Sequence, residues 1–184
     1  MADAMRDAIL NGFVDQNYLG SEELGPKILA NNQQERIWQT LRQELYSCKS
    51  FTWAIAFITQ DMLVPFKVIM ADLAKNGISG TIITGDYLGF NNPRVFTELQ
   101  KIPNLEVRIA NKAGFHTKGY LFDHENYQTV IIGSANFTRS ALLANYEWAL
   151  KVSSKKQADL TAQLVDKIAD LKQDSFVLNS AWLT

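Results

Sequence analysis

Cysteine occurs once in the 184 residues, at Cys48, so the chain cannot close an internal disulfide and the expected setting is the reducing cytoplasm. Long apolar runs are missing too: no window approaches the ~18 consecutive apolar residues that cross a bilayer. The opening stretch "MADAMRDAILNGFVDQNYLG" lacks the basic start and apolar core of a secretory signal. Charge is balanced, 18 basic against 19 acidic residues, which excludes the strong positive field of a protein that grips nucleic acid over its whole surface. Any polyanion must be held locally. There is no G-x-x-x-x-G-K-[ST] phosphate loop, so this chain is not itself an ATP-driven motor. With no internal repeat or Gly/Ser linker, residues 1–184 read as one domain, 1–30 an N-terminal helix ("DAMRDAILNGF") and lead-in, 31–184 the core. Cys48 ends an amphipathic segment and reads as buried filler.

What is present is an ordered series of apolar segments. "ERIWQTLRQELYSC" places Ile37 or Trp38, then Leu41 and Leu45, at helical spacing. "FTWAIAFIT" (51–59) is apolar almost throughout, as a strand covered on both faces must be. A helix comes next with Phe66, Ile69 or Met70, and Leu73 inward, and Gly77 as its stop. Then come a strand at 80–85, a short helix capped by Asn92 and opened by Pro93, and a strand at 105–110. This alternation predicts right-handed parallel crossovers. "HTKGYLF" and "YQTVIIG", separated by the polar turn "DHEN", predict an antiparallel hairpin whose tip, His124 included, is solvated. "FTRSALLANY" predicts a helical connector and "EWALKV" a strand. Ser154 and Gln157 suggest a capping box for a last helix with Leu160, Leu164, Ile168 and Leu171 on its apolar side. The expected fold is α/β, a mixed sheet flanked by helices.

Chemistry concentrates on the hairpin. Alternation along a strand puts His116 and Lys118 on one side, about 6–7 Å apart. Ser134 and Asn136 come after the neighbouring strand and Gly133, where the backbone turns out sharply. Glu147, at the start of the next strand, is a carboxylate able to orient an imidazole. A phosphodiester suits these groups: Lys and Asn donate to phosphate oxygens while a neutral imidazole nitrogen attacks phosphorus, with neither metal nor cofactor. A second histidine must protonate the leaving oxygen. His124 has no such setting, so the expected source is a second copy across a twofold axis. A serine-hydrolase reading fails because Ser134 lacks the G-x-S-x-G elbow. A zinc site at His116, Asp123, His124 and Glu125 lacks ligand spacing. Asp86 and Tyr87, after a parallel strand, are candidates to border a substrate groove, as is Arg139; Arg108 and Lys112 are either backbone-tracking or solvated charges. Phe115, Phe137 and Trp148 read as core packing.

These residues carry a resemblance. "HTKGYLFD" followed by "GSAN" resembles the H-x-K-x4-D and G-S-x-N signature of the phospholipase D superfamily, whose single-motif members are dimeric nucleases and phosphodiesterases. The resemblance implies His116 as nucleophile or acid, Lys118 and Asn136 as phosphate ligands, Ser134 as an assistant, Glu147 as the orienter of a histidine, and Asp123 and Gly133 as structural. "AILNGFVDQ", "IITGDYLGF" and "VIIGSANFTRSALLANYEWAL" further resemble the N-terminal nuclease-like module of bacterial DEAD/DEAH-box superfamily-two helicases. That resemblance implies DNA as the preferred substrate and a helicase motor elsewhere in the protein. The rival implication is a module that positions DNA without cutting it. A phospholipid substrate is weaker, since no segment resembles a membrane-binding surface.

Overall fold

The computed structural model describes residue 6 and residues 25–32, 34–86, 92–156 and 159–179; the expected N-terminal helix, Tyr87 and Gln157 lie outside these. Strand β1 (Lys27–Ala30) precedes helix α1 (Ile37–Ser47). Alternating strands and helices come next: β2 (Ser50–Ile55), α2 (Gln60–Lys75), β3 (Ser79–Gly85), α3 (Pro93–Leu99) and β4 (Leu105–Ala110). The hairpin β5 (Lys118–Asp123) and β6 (Tyr127–Gly133) leads through α4 (Arg139–Leu143) to β7 (Trp148–Lys155), α5 (Asp159–Gln173) and β8 (Ser175–Val177). Among the described residues these strands form one eight-stranded sheet in the order β1-β7-β6-β5-β2-β3-β4-β8. β2, β3 and β4 are parallel, as the crossovers require, and every other pairing is antiparallel.

Local chemistry explains the boundaries. Asn92 accepts from Arg94 N at 3.0 Å with Pro93 opening α3, and Gly77, at φ 70°, lets the chain leave α2. Gly80 is dictated by packing: a Cβ there would sit 2.0 Å from the Phe51 ring. Side chains alternate across the sheet. Trp53, Ile82, Tyr120 and Phe122 face the large core beneath α1 to α4, while Ala54, Ile83, Leu121 and Val130 face α5. Trp53 is fully buried and meets Phe66, Tyr120 and Phe137 at ring separations of 5.4, 5.3 and 5.2 Å. Such pairs contribute about 0.5–1.5 kcal/mol each beyond their area. No helix among the described residues is long and apolar enough to cross a membrane.

Several expectations need correction. Residues 27–30, read as irregular, form the edge strand β1, and β8 closes the opposite edge. β2 stops at Ile55 rather than running to 59; Ile58 instead bridges Phe137, tying the strand's exit to the segment after β6. Ser154 lies inside β7, bonded to Thr161 at 3.1 Å, and does not cap α5; Leu160 is exposed.

His124 is the largest departure, being buried rather than solvated. Its Nε2 lies 2.8 Å from Glu44 Oε2 and its Nδ1 3.2 Å from Ser47 O, with Tyr127 stacked on the ring at 4.3 Å. Both nitrogens face an acceptor, the Glu44 carboxylate on one side and the Ser47 carbonyl on the other. Glu44 Oε1 accepts from Lys151 Nζ at 2.6 Å. Burial alone would raise the Glu44 carboxyl, but His124 and Lys151 outweigh it and hold the group below the usual glutamate value.

Candidate phosphoryl-transfer site

The site is assembled where β2 and β6 end and β5 begins. Gly114, at φ 69°, turns the chain after β4, and the buried Phe115 anchors the segment that enters β5. Thr117 then bonds back to β2, its Oγ1 donating to Ala54 O at 3.2 Å and its carbonyl accepting from Ala56 N at 3.0 Å. Phe115 inward and Thr117 tied down leave His116 turned outward, exposed, just before β5 rather than on it as expected. Lys118 opens β5 opposite Ile55. Its Nζ lies 2.8 Å from Nδ1 and 3.1 Å from Nε2 of His116, and it donates to His116 O at 2.8 Å.

Phe57 joins this pair to the next motif. Its ring meets His116 edge-on at 5.5 Å and lies 5.9 Å from Lys118 Nζ, while its backbone N–H donates to Asn136 Oδ1 at 3.2 Å. With its oxygen so engaged, the Asn136 amide is fixed with its NH2 as the end able to donate outward. Nothing in the sequence singles out Phe57, because it sits in an unbroken apolar run. The signal that finds it is position, since ligands gather at the carboxyl ends of parallel strands.

Gly133 is required by the sheet: a Cβ there would fall 2.2 Å from Trp148 O and 2.6 Å from Ala149 Cα. That close approach sets Ser134 against β7, its N–H donating to Trp148 O at 3.0 Å and its Oγ donating to the Glu147 carboxylate. Within one chain Glu147 therefore holds Ser134, not His116. Asp123 is at the far end of β5, accepting from Gln128 at 3.1 Å and from Lys156 at 3.1 Å, a hairpin tie. Partial burial pushes the Lys118 ammonium below its ordinary value, with the Glu147 carboxylate pulling the other way.

Other candidates stand apart. Asp86 is exposed just beyond β3, two strands or about 10 Å from β5. Arg139 is exposed at the start of α4. Arg108 is committed to the sheet edge, donating to Ser175 Oγ at 2.8 Å, and Lys112 pairs with Asp174. Phe115 and Phe137 are core, as expected, but Trp148 is 59% exposed and Tyr146 beside it 81%. Trp148 shares the α5 side of the sheet with Leu150, and α5 does not reach across to cover that end.

A groove of about 550 Å³ opens beside His116 and Lys118, between α5 and the sheet, with Gly119, Ile132, Leu164 and Leu171 in its lining. No local pattern announces it, because its sides come from segments some 45 residues apart.

A family model described as "Cardiolipin synthase, PLD-like domain" matches residues 41–170. Among solved structures, NucT from Helicobacter pylori superposes with a TM-score of 0.65 at 20% identity, over 83% of this chain and 98% of that one. Nuc from Salmonella typhimurium, a phospholipase D family member, gives 0.63 at 19% identity over 84% and 99%. The phosphatidylserine synthase of Haemophilus influenzae gives 0.61 at 18% over 84% of this chain and 39% of that one. No curated protein sequence matches the chain. The structural likenesses share the mixed sheet and its flanking helices.

Proposed function

The chain belongs to the phospholipase D-like family, and from that membership and the His116 cluster we propose that it is a phosphodiester hydrolase working through His116 on nucleic acid, DNA preferred. One observation carries the reading: an exposed imidazole in contact with the Lys118 ammonium, with the Asn136 amide fixed across Phe57 from both. A nitrogen of His116 attacks phosphorus, forming an N–P bond as the P–O bond to the leaving group breaks. Lys118 and Asn136 donate to the non-bridging oxygens as charge builds there. A second imidazolium gives its proton to the leaving oxygen, then takes one from the water that cleaves the N–P bond. That step needs another histidine, and His124 is locked behind Glu44 at the opposite end of β5. The proposed source is His116 of a second copy across a twofold axis. Residues 1–184 are read as one such domain, a reading supported by the NucT and Nuc likenesses, which span 98% and 99% of those chains; a cytoplasmic setting and a link to a helicase motor rest on the sequence reading alone.

Rapid acid quench with a bis-aryl phosphate tests the proposal. A covalent phosphoryl adduct on His116, formed in EDTA and absent from His116→Ala, is expected; turnover with no adduct on His116 would overturn it. The presence of a single histidine at the site favours one alternative, a module that holds DNA without cutting it. Salt-dependent DNA binding by wild-type protein with no turnover at any concentration would select that alternative.

A further inference from the structure

Gly119 is a glycine the fold does not demand. It is the second residue of β5, paired between Ala54 of β2 and Ile132 of β6, outside the left-handed region that Gly77 and Gly114 occupy. A Cβ built on it meets no atom within 4 Å, whereas one on Gly80 or Gly133 would collide. Glycine weakens a strand interior, and where sterics do not require it, it marks a place something else approaches. That place is the groove beside His116 and Lys118, whose volume of about 550 Å³ is in the ~300–1,000 Å³ range of small-ligand sites.

The groove has a specific chemistry. Gly119 leaves part of its floor without a side chain, between Ala54 and Ile132, and Leu164 and Leu171 of α5 supply an apolar wall. Lys167 stands at its rim with Asp170, giving a cation for a flanking phosphate and an acceptor for a ring N–H. A long acyl chain would meet these charges without using them. A nucleotide uses both parts.

We propose that this groove is the subsite for one unstacked nucleobase, the base next to the phosphate held at Lys118 and His116. The proposal rests on the phosphodiesterase reading for the position of that phosphate, and it makes the substrate single-stranded or locally opened, since a base within a duplex stack cannot enter.

Binding is measured on the full chain carrying His116→Asn, so that the result does not depend on turnover. The probes are a thymidine decamer and an abasic decamer of equal charge. The decamer with bases is expected to bind about tenfold more tightly, as stacking of a base on a protein surface allows. Gly119→Val, which fills the groove from its floor and is a good strand former, should bring that ratio to about one, with Gly119→Ala intermediate and neither lowering the thermal midpoint. An unchanged ratio in Gly119→Val overturns the proposal. So does a loss of binding to phosphatidylglycerol vesicles with the ratio intact, which would assign the groove to an acyl chain. A change of sedimentation with the ratio intact would assign it to a second copy and overturn the proposal as well. Failure to trap phosphohistidine leaves the base ratio untouched, so the two readings fail separately.

Discussion

The two ends of strand β5 use the same three chemical types, imidazole, ammonium and carboxylate, to opposite ends. At the His116 end the imidazole is exposed, the Lys118 ammonium touches it directly, and the carboxylate of Glu147 is spent on Ser134. At the His124 end the carboxylate of Glu44 sits between imidazole and ammonium, and side-chain exposures are 3% for His124, 8% for Glu44 and 12% for Lys151. One arrangement leaves the imidazole within reach of solvent. The other closes imidazole, carboxylate and ammonium onto one another and staples the hairpin to α1 and β7. Residue type does not separate the open cluster from the closed one; the position of the carboxylate does.

The sharpest test of this contrast perturbs each end in turn. His116→Ala should cut diester hydrolysis by at least about a thousandfold, within the range attributed to proton transfer and nucleophilic groups, with no change in thermal midpoint. Comparable turnover in that variant, measured by release of aryl alcohol, would erase the distinction. At the other end, Glu44→Ala removes the carboxylate that binds both His124 and Lys151, and breaking a buried ion pair by removing one partner costs about 3–5 kcal/mol. Urea titration should show that loss, while kcat of the molecules that remain folded is retained.

Acid should have a smaller effect. The folded-state carboxyl of Glu44 is held below its unfolded value, so the stability it contributes is present above the unfolded pKa and is lost as pH falls through the folded one. Thermal midpoints of wild type and Glu44→Gln should therefore converge in mild to strong acid and separate toward neutrality. The smallest expected effect is at the alkaline side of the active end. Lys118 loses its proton below the ordinary lysine range, so the alkaline limb of kcat/KM should fall there. Lys118→Arg, always charged, should remove that limb even where it lowers the rate.

Much of this molecule was readable in its residues because the relevant physics is local. The run "LEVRIA" became β4 with the same bounds, Asn92 and Pro93 began α3, and the hairpin paired as its turn implied. The family signature put His116, Lys118 and Asn136 in one neighbourhood, and the strand ends bring them together through Phe57. What escaped depends on partners far along the chain. His124 looked solvated because "DHEN" is polar, yet its carboxylate is 80 residues away. Trp148 looked like core because aromatics usually are, but no helix among the described residues covers that part of the α5 face. β1 and β8 are short edge strands of four and three residues, below the length at which periodicity speaks.

The tight spacing at Gly133 has a consequence for inheritance. Because any side chain at this position must displace the Trp148 carbonyl and Ala149, every missense change there moves the strand that begins beside Glu147. A saturation scan would record a column of inactive variants at a residue that offers no functional group of its own. Selection would guard that column for its backbone alone.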